Sequence, residues 1–149
     1  MILLDTNVLG RITDSSDPLC AISRNAVHRL SREGTHLVIV PQSLFEFWAV
    51  ATRRRGLPPQ GQNGLGMTTV QAGQWLDFFV RRFTLLLDQP NLLTEWRSLV
   101  SAYAIKGIKA HDARLVAAMR TYGIHHVMTF NVADFKPYPD IQFVNPATF

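Results

Sequence analysis

Several features that define other classes of protein are scarce or missing in this 149-residue sequence. Cys20 is the only cysteine, so no internal disulfide can form, and a reducing compartment such as the cytoplasm is expected. No apolar run approaches the ~18 residues of a membrane-spanning helix, and no basic stretch followed by an apolar one predicts a secretory signal. Neither sign of charge dominates, since 15 Lys and Arg stand against 11 Asp and Glu, for a net charge of +4. This excess permits a polyanionic partner without requiring one, and no membrane partner is expected.

The motifs of several enzyme classes are also missing. The sequence has no P-loop and no serine in a nucleophile elbow. It has no cysteine cluster or His–Glu–His arrangement of the kind that binds zinc. The adjacent His125 and His126 fall in a predicted strand, where neighbouring side chains point to opposite faces and cannot share one metal. The carboxylates are therefore the main candidates for chemistry.

Short apolar runs alternate with segments of helical periodicity along the whole chain. The runs predict strands at 1–4, 37–40, 83–87 and 125–129, and a short edge strand at 141–144. The periodic segments predict helices after Asp17-Pro18, at 42–54, from Thr68-Thr69 to Arg82, at 90–105 and from 109 to the break at Gly123. Strands that alternate with helices predict an α/β fold with a mainly parallel sheet, and the length suits one domain over 1–149.

Asp5 ends the first apolar run and is followed by two small polar residues, Thr6 and Asn7. The carboxyl ends of parallel strands face the ligand crevice in open α/β sheets, which favours a functional role for Asp5. Asp is also a preferred N-cap, so Asp5 could simply cap a helix that begins at Thr6. A functional role for Asp5 is favoured if other carboxylates in the chain are also out of place in their apolar surroundings.

Glu46 and Asp112 both lie on apolar helix faces. Glu46 is the only acid in its apolar helix, where a bare carboxylate needs a partner or a metal if it is buried. The alternative is a solvated polar stripe through Gln42, Ser43, Glu46 and Arg53. Asp112 shares a face with Leu115, Val116 and Met119. The helix dipole favours an acid in the first turn, but it does not explain one on the apolar face.

Asn131 and Asp134 follow the strand at 125–129, at the sheet edge where Asp5 is expected. An ordinary turn with a cap is the alternative for this pair. The predicted topology can bring Asp5, Glu46, Asp112 and Asp134 to one crevice. We expect the carboxylates of Asp5, Glu46 and Asp112 to converge there within roughly one metal-coordination shell, allowing for water bridges. Clustered carboxylates raise one another's pKa unless a cation compensates them. Oxygen-only ligation fits Mg²⁺ or Mn²⁺.

The sequence resembles the PIN domain from Ile2 to about Val144, and most closely the VapC-like toxins of toxin–antitoxin modules. The resemblance rests on Leu-Asp-Thr-Asn-Val-Leu at 4–9, the helical Glu46, His111-Asp112 at a helix start, and Thr-Phe-Asn-Val-Ala-Asp-Phe at 129–135. It implies a three-layer α/β/α sandwich and a metal-dependent ribonuclease that leaves a 5′-phosphate. It also implies an antitoxin whose peptide covers the site. Apolar side chains around Glu46 and Trp75 would suit that peptide, and the aromatic faces could support a homodimer.

The resemblance assigns roles by position. Asp5, Asp112 and Asp134 would hold the metal, Glu46 completes the catalytic set, and Thr6, Asn7 and Asn131 support it. Many relatives have Asp where this chain has Asn131, so either Asn131 or Asp134 completes the site, and we favour Asp134. The candidates for RNA phosphate contacts are Arg11, Arg53, Arg54, Arg55 and Arg114. The segment 56–67 predicts a mobile loop without a phosphate-binding motif.

Two other classes of function fit parts of the pattern. Asn131 is compatible with a PIN-like RNA-binding or adaptor domain that has lost catalysis. A flavodoxin-like regulatory or nucleotide-binding domain could also place acids at its switch point. Metal-dependent RNA cleavage separates the first from a ribonuclease, and release of a bound nucleotide on denaturation would support the second.

Overall fold

The computed structural model describes residues 1–56 and 64–149. In these ranges the strands are β1 (Ile2–Leu4), β2 (Leu37–Ile39), β3 (Thr84–Leu85), β4 (His126–Met128) and β5 (Gln142–Val144). The α-helices are α1 (Thr6–Thr13), α2 (Cys20–Arg32), α3 (Pro41–Thr52), α4 (Thr69–Arg82), α5 (Leu92–Ala102), α6 (Lys109–Thr121) and α7 (Val132–Phe135), and Pro146–Thr148 forms a 3-10 turn. None of the described helices has the length and apolar character to cross a membrane.

The five strands form one parallel sheet in the order β3-β2-β1-β4-β5. The predicted α/β class is confirmed, and β5 is an edge strand, as predicted. The chain leaves β1 in one direction toward β2 and β3, and returns on the other side of β1 to form β4 and β5. The topological switch point therefore lies between β1 and β4, where open α/β sheets bind their ligands. A flavodoxin-like fold would have the different order 2-1-3-4-5.

The inner strands β1, β2 and β4 direct side chains alternately to both faces of the sheet, and helices bury both faces. Leu3, Val38 and Val127 contribute to the core that contains α5 and α6. Leu4 and Met128 contribute to the core on the other face, which contains α1, α2, α3 and α4. The result is the predicted three-layer α/β/α sandwich, which fixes the helix termini around the carboxyl edge of the sheet.

The structure differs from the sequence prediction at several element boundaries. Helix α2 begins at Cys20 and not at Pro18, because Pro18 and Leu19 form a separate turn that the Cys20 N–H closes on the Asp17 carbonyl at 3.0 Å. The Asp17 carboxylate accepts a hydrogen bond from the Leu19 N–H, as expected of a cap residue. Strand β3 has two residues and not the five predicted at 83–87. The loop predicted at 56–67 lies in part outside the described residues, which end at 56 and resume at 64.

Candidate active site

A cavity of about 680 Å³ lies at the carboxyl edge of the sheet, beside the switch point. Its lining comes from α1, α3, α6 and the segment after β4, which lie far apart in sequence. All four acids that the sequence singles out line this cavity, namely Asp5, Glu46, Asp112 and Asp134. Asn131 lines it as well. The predicted meeting of these acids at one crevice is therefore observed.

Asp5 is fixed at the switch point by both neighbouring elements. Its N–H donates to the Met128 carbonyl at 3.0 Å, which ties the end of β1 to β4. Its Oδ2 accepts hydrogen bonds from Asn7 Nδ2 and from Thr129 Oγ1, each at 2.7 Å. Asp5 does occupy the N-cap position of α1, but its side chain makes no capping hydrogen bond. The alternative that Asp5 only caps the helix is therefore wrong, and its carboxylate belongs to the cavity.

Enclosure makes the Asp5 carboxyl a weaker acid than an ordinary aspartate. Burial raises the pKa of Asp5 to about 6 from its ordinary 3.8, although hydrogen bonds from Thr129 and Thr6 oppose the rise. The negative charges of Glu46 and Asp112 raise it further. Burial also raises the pKa of Asp112, and the nearby Asp134 adds to the effect. Both shifts therefore arise mainly from the enclosure of the carboxyls, and the neighbouring acids add to them.

Glu46 is held by donors on both of its oxygens. Thr6 Oγ1 donates to Glu46 Oε2 at 2.9 Å, and Gln42 Nε2 donates to Oε1 at 2.7 Å. The alternative of a solvated stripe is wrong, because Gln42 is 6% exposed and Ser43 is fully buried. The polar side chains on this helix face point inward and form hydrogen bonds there, Gln42 with Glu46 and Ser43 with the Leu4 carbonyl.

Lys109 connects two of the acids, and the sequence analysis missed it. Its ammonium forms an ion pair with Asp134 and lies 3.8 Å from Asp112 Oδ2. The available signal was its place three residues before Asp112 on one helix, which puts both side chains on one face. Lys109 therefore supplies part of the positive charge that the predicted metal was expected to bring.

Asn131 lies directly at the end of the β4 segment. Its N–H donates to Thr129 Oγ1 at 2.9 Å, so the same hydroxyl links Asn131 to Asp5. Its side chain lines the cavity but makes no capping hydrogen bond to α7. Thr129 is fully buried and was also missed, because a threonine at a strand end carries no distinctive sequence signal.

The five candidate arginines divide into two groups. Arg11, Arg53 and Arg55 line the cavity. Arg11 pairs with Asp17 and lies over the Phe130 ring, while Arg55 pairs with Asp14. Arg54 and Arg114 are not among the lining residues, and Arg114 instead pairs with Asp88 at 2.6 Å.

The donors fit a hard divalent cation in chemistry, although not as a closed shell. Carboxylate and amide oxygens, the ligands that Mg²⁺ and Mn²⁺ prefer, surround the cavity. Within residues 1–56 and 64–149, however, no three acid, histidine or cysteine side chains come together closely enough to hold one metal. The structure thus shows Asp5, Glu46 and Asp112 lining one cavity, and their convergence within one coordination shell through water bridges stays a prediction.

Fold and cavity together define an α/β/α protein with a carboxylate cluster at the switch point of a parallel sheet. The PIN domain family model matches residues 2–138, so the chain belongs to the PIN domain family, as the resemblance implied. A comparison with the curated proteins gave no match.

Solved structures share the fold over nearly the whole chain. VapBC2 from Rickettsia felis, bound to a DNA fragment from its promoter, has a TM-score of 0.71 at 17% identity and covers 97% of this chain and 98% of that chain. FitAcB from Neisseria gonorrhoeae has a TM-score of 0.67 at 18% identity and covers 100% of both chains. VapC20 from Mycobacterium tuberculosis, described as a Sarcin-Ricin loop cleaving toxin, has a TM-score of 0.62 at 16% identity and covers 93% of this chain and 95% of that chain.

Proposed function

We propose that this protein is a metal-dependent ribonuclease and the toxin of a toxin–antitoxin module. The observation that carries the proposal is the meeting of Asp5, Glu46, Asp112 and Asp134 in one cavity at the switch point. Membership of the PIN family and the likeness to VapBC and FitAB complexes support it. The reaction is hydrolysis of an RNA phosphodiester, in which water attacks phosphorus and the bond to the 3′ oxygen breaks.

Asp5, Asp112 and Asp134 are the residues that would hold the cation. A Mg²⁺ or Mn²⁺ ion held by these residues would supply positive charge toward the phosphate and would make a nearby water more acidic. Glu46 lies outside this ligand set, and Thr6 and Gln42 fix its two oxygens. It is therefore the carboxylate best placed to accept the proton of the attacking water. The departing 3′ oxygen takes up a proton from solvent, and because the P–O3′ bond breaks, the phosphate stays on the 5′ end of the next nucleotide.

Arg11, Arg53 and Arg55 are the proposed phosphate contacts because they line the cavity beside the acids. Arg11 and Arg55 are paired with acids at the cavity rim, Asp17 and Asp14, and an RNA phosphate can replace such a partner. Contacts of this kind give affinity without sequence choice. The proposal therefore assigns RNA binding to this rim and leaves the choice of cleavage site to RNA shape or bases.

Single-turnover cleavage of a labelled RNA tests the nuclease proposal. We expect cleavage with Mg²⁺ or Mn²⁺, none with EDTA, and a loss of roughly a hundredfold or more in Asp5→Asn. Asp77→Asn is the matched control, because Asp77 is exposed on α4 and outside the cavity lining. Cleavage that survives EDTA, or that persists unchanged in Asp5→Asn, would contradict the proposal, and product ends without a 5′-phosphate would contradict the mechanism.

A groove between α2 and α4 is the proposed docking surface for an antitoxin. It has a volume of about 660 Å³ and an apolar floor that includes Val27, Trp75 and Phe83. Arg24, His28 and Arg82 also line it. An apolar floor with cations beside it suits an amphipathic segment that carries acidic residues. The sequence analysis expected the groove near both Glu46 and Trp75, but only Trp75 lines it.

The partner proposal is tested with the product of the neighbouring reading frame. Phe78→Asp should weaken binding, because Phe78 lines the groove and is 40% exposed. Val80→Asp is the control, since Val80 is 47% exposed on the same helix but does not line the groove. Equal affinities for two folded variants would exclude this groove. The homodimer remains a prediction, to be tested by sedimentation of the isolated protein.

A further inference from the structure

Gln42 is a buried amide at the back of the acid cavity, one helical turn before Glu46. It is 6% exposed, and every polar group of its amide is used. Its Nε2 donates to Glu46 Oε1 at 2.7 Å and to the His111 carbonyl at 2.9 Å. Its Oε1 accepts from Arg114 Nη1 at 2.8 Å. A buried amide with all its hydrogen bonds made is strongly held in place.

Arg114 determines which way this amide faces. A guanidinium can only donate hydrogen bonds, so it requires the amide oxygen of Gln42 on its side. The amide NH₂ must then face the Glu46 carboxylate and the His111 carbonyl, both of which can only accept. The reversed amide would oppose donor to donor and acceptor to acceptor at all three contacts. Asp88 anchors Arg114 from the opposite side at 2.6 Å.

The contacts of Gln42 join two elements that carry site residues. Glu46 is on α3, whereas the His111 carbonyl belongs to α6, one residue before Asp112. The Gln42 amide thus fixes the Glu46 carboxylate relative to the start of α6. Thr6 from α1 holds the other Glu46 oxygen, so donors from two helices determine the position of the carboxylate.

We propose that Gln42, oriented by Arg114, is the positioning residue that sets the Glu46 carboxylate relative to Asp112 in the proposed ribonuclease reaction, on which this inference rests. Gln42 is buried and does not line the cavity, so it offers no surface for RNA to contact there. Arg114, which the sequence suggested as a phosphate contact, acts through Gln42 instead. Losing either residue should therefore change the catalytic step and leave RNA affinity unchanged.

The test separates positioning from packing and from phosphate binding. Gln42→Met keeps similar volume and removes the donors, and we expect kcat to fall roughly ten- to a hundredfold with KM within about twofold. Arg114→Met should show the same split, and Arg114→Lys, which keeps one donor toward Gln42, should recover most of kcat. Gln89→Met is the matched control, because Gln89 is a half-buried amide bonded to the Tyr122 hydroxyl away from the cavity.

Crystal structures of wild type and Gln42→Met give a readout that does not need activity. We expect the Glu46 carboxylate to leave its wild-type position in the variant. A Glu46 that stays in place, a kcat that does not change, or a KM that rises in Arg114→Met with kcat intact would overturn the positioning role. A displaced Glu46 in a protein whose wild type does not cut RNA would uphold the placement by Gln42 and reject the ribonuclease function.

Discussion

The Asp5 carboxylate is enclosed by the fold, and its negative charge should therefore lower the free energy of unfolding. The folded protein binds a proton at Asp5 with a pKa of about 6, against 3.8 for an ordinary carboxyl. Between these values the folded state keeps a proton that the unfolded state has lost, so wild-type stability falls as pH rises through this window. Above pH 6 the cost of the ionised carboxylate is fully present.

Asp5→Asn removes this charge and should make the metal-free protein more stable at pH 8, by about 1–3 kcal/mol. The advantage should shrink as pH falls from about 6 toward 4, where wild-type Asp5 becomes protonated. Urea unfolding of both proteins at several pH values measures this difference in the free energy of unfolding. A stability difference that is the same at pH 4 and pH 8 would mean that the fold does not raise the pKa of Asp5.

Asp134 and Asn131 compete for the fourth position of the site, since both line the cavity. A divalent cation gains more from a formal charge than from an amide oxygen, so we expect Asp134→Ala to impair RNA cleavage nearly as much as Asp112→Ala. Asn131→Ala should cost less. Single-turnover rates and metal titration for the three variants decide the order. Full activity in Asp134→Ala would leave a site of three carboxylates.

Lys109 places a positive charge against Asp112 and Asp134, where the cation is expected to act. Lys109→Met should therefore tighten Mn²⁺ binding by roughly a few-fold, because surface charges interact weakly but measurably. Lys106→Met, an exposed lysine outside the cavity lining, is the matched control for titration calorimetry. Weaker Mn²⁺ binding in Lys109→Met alone would show that the lysine supports the site instead of competing with the cation.

Among the secondary-structure elements, the strands with both faces buried were predictable from the sequence. Strands β1, β2 and β4 are buried on both faces, so they read as continuous apolar runs. The third run was predicted too long, because β3 is an edge strand whose length is set by the two residue pairs it makes with β2. Pairing of this kind depends on the neighbouring strand and not on the apolar run itself.

The start of α4 is an element boundary that the sequence did predict. Thr68 Oγ1 accepts from the Gln71 N–H at 3.1 Å, and the Gln71 side chain accepts from the Thr68 N–H at 3.0 Å. Thr68→Ala should lower the free energy of unfolding by about 1 kcal/mol. Thr69→Ala, one residue later and without the capping contacts, should change it much less. Equal losses in urea unfolding would mean that the capping box contributes nothing.

At the scale of the whole molecule, the acids were predictable and their supports were not. Asp5, Glu46 and Asp112 stand out because each places a charge against an apolar pattern. Gln42 and Arg114 are 72 residues apart in sequence, and they meet only because the fold places the starts of α3 and α6 next to each other at the carboxyl edge of the sheet. A buried glutamine resembles an exposed one in sequence, so its role follows only from its contacts.

The proposed ribonuclease function requires a divalent cation in the cavity beside β1 and β4. Anomalous scattering from crystals soaked with Mn²⁺, at the concentration that gives full cleavage in solution, measures this directly. We predict a manganese peak in this cavity, in contact with carboxylate oxygens of Asp5 and Asp112, and its loss in Asp5→Asn. An empty cavity at that concentration, or manganese bound only elsewhere on the protein, would contradict the proposed function.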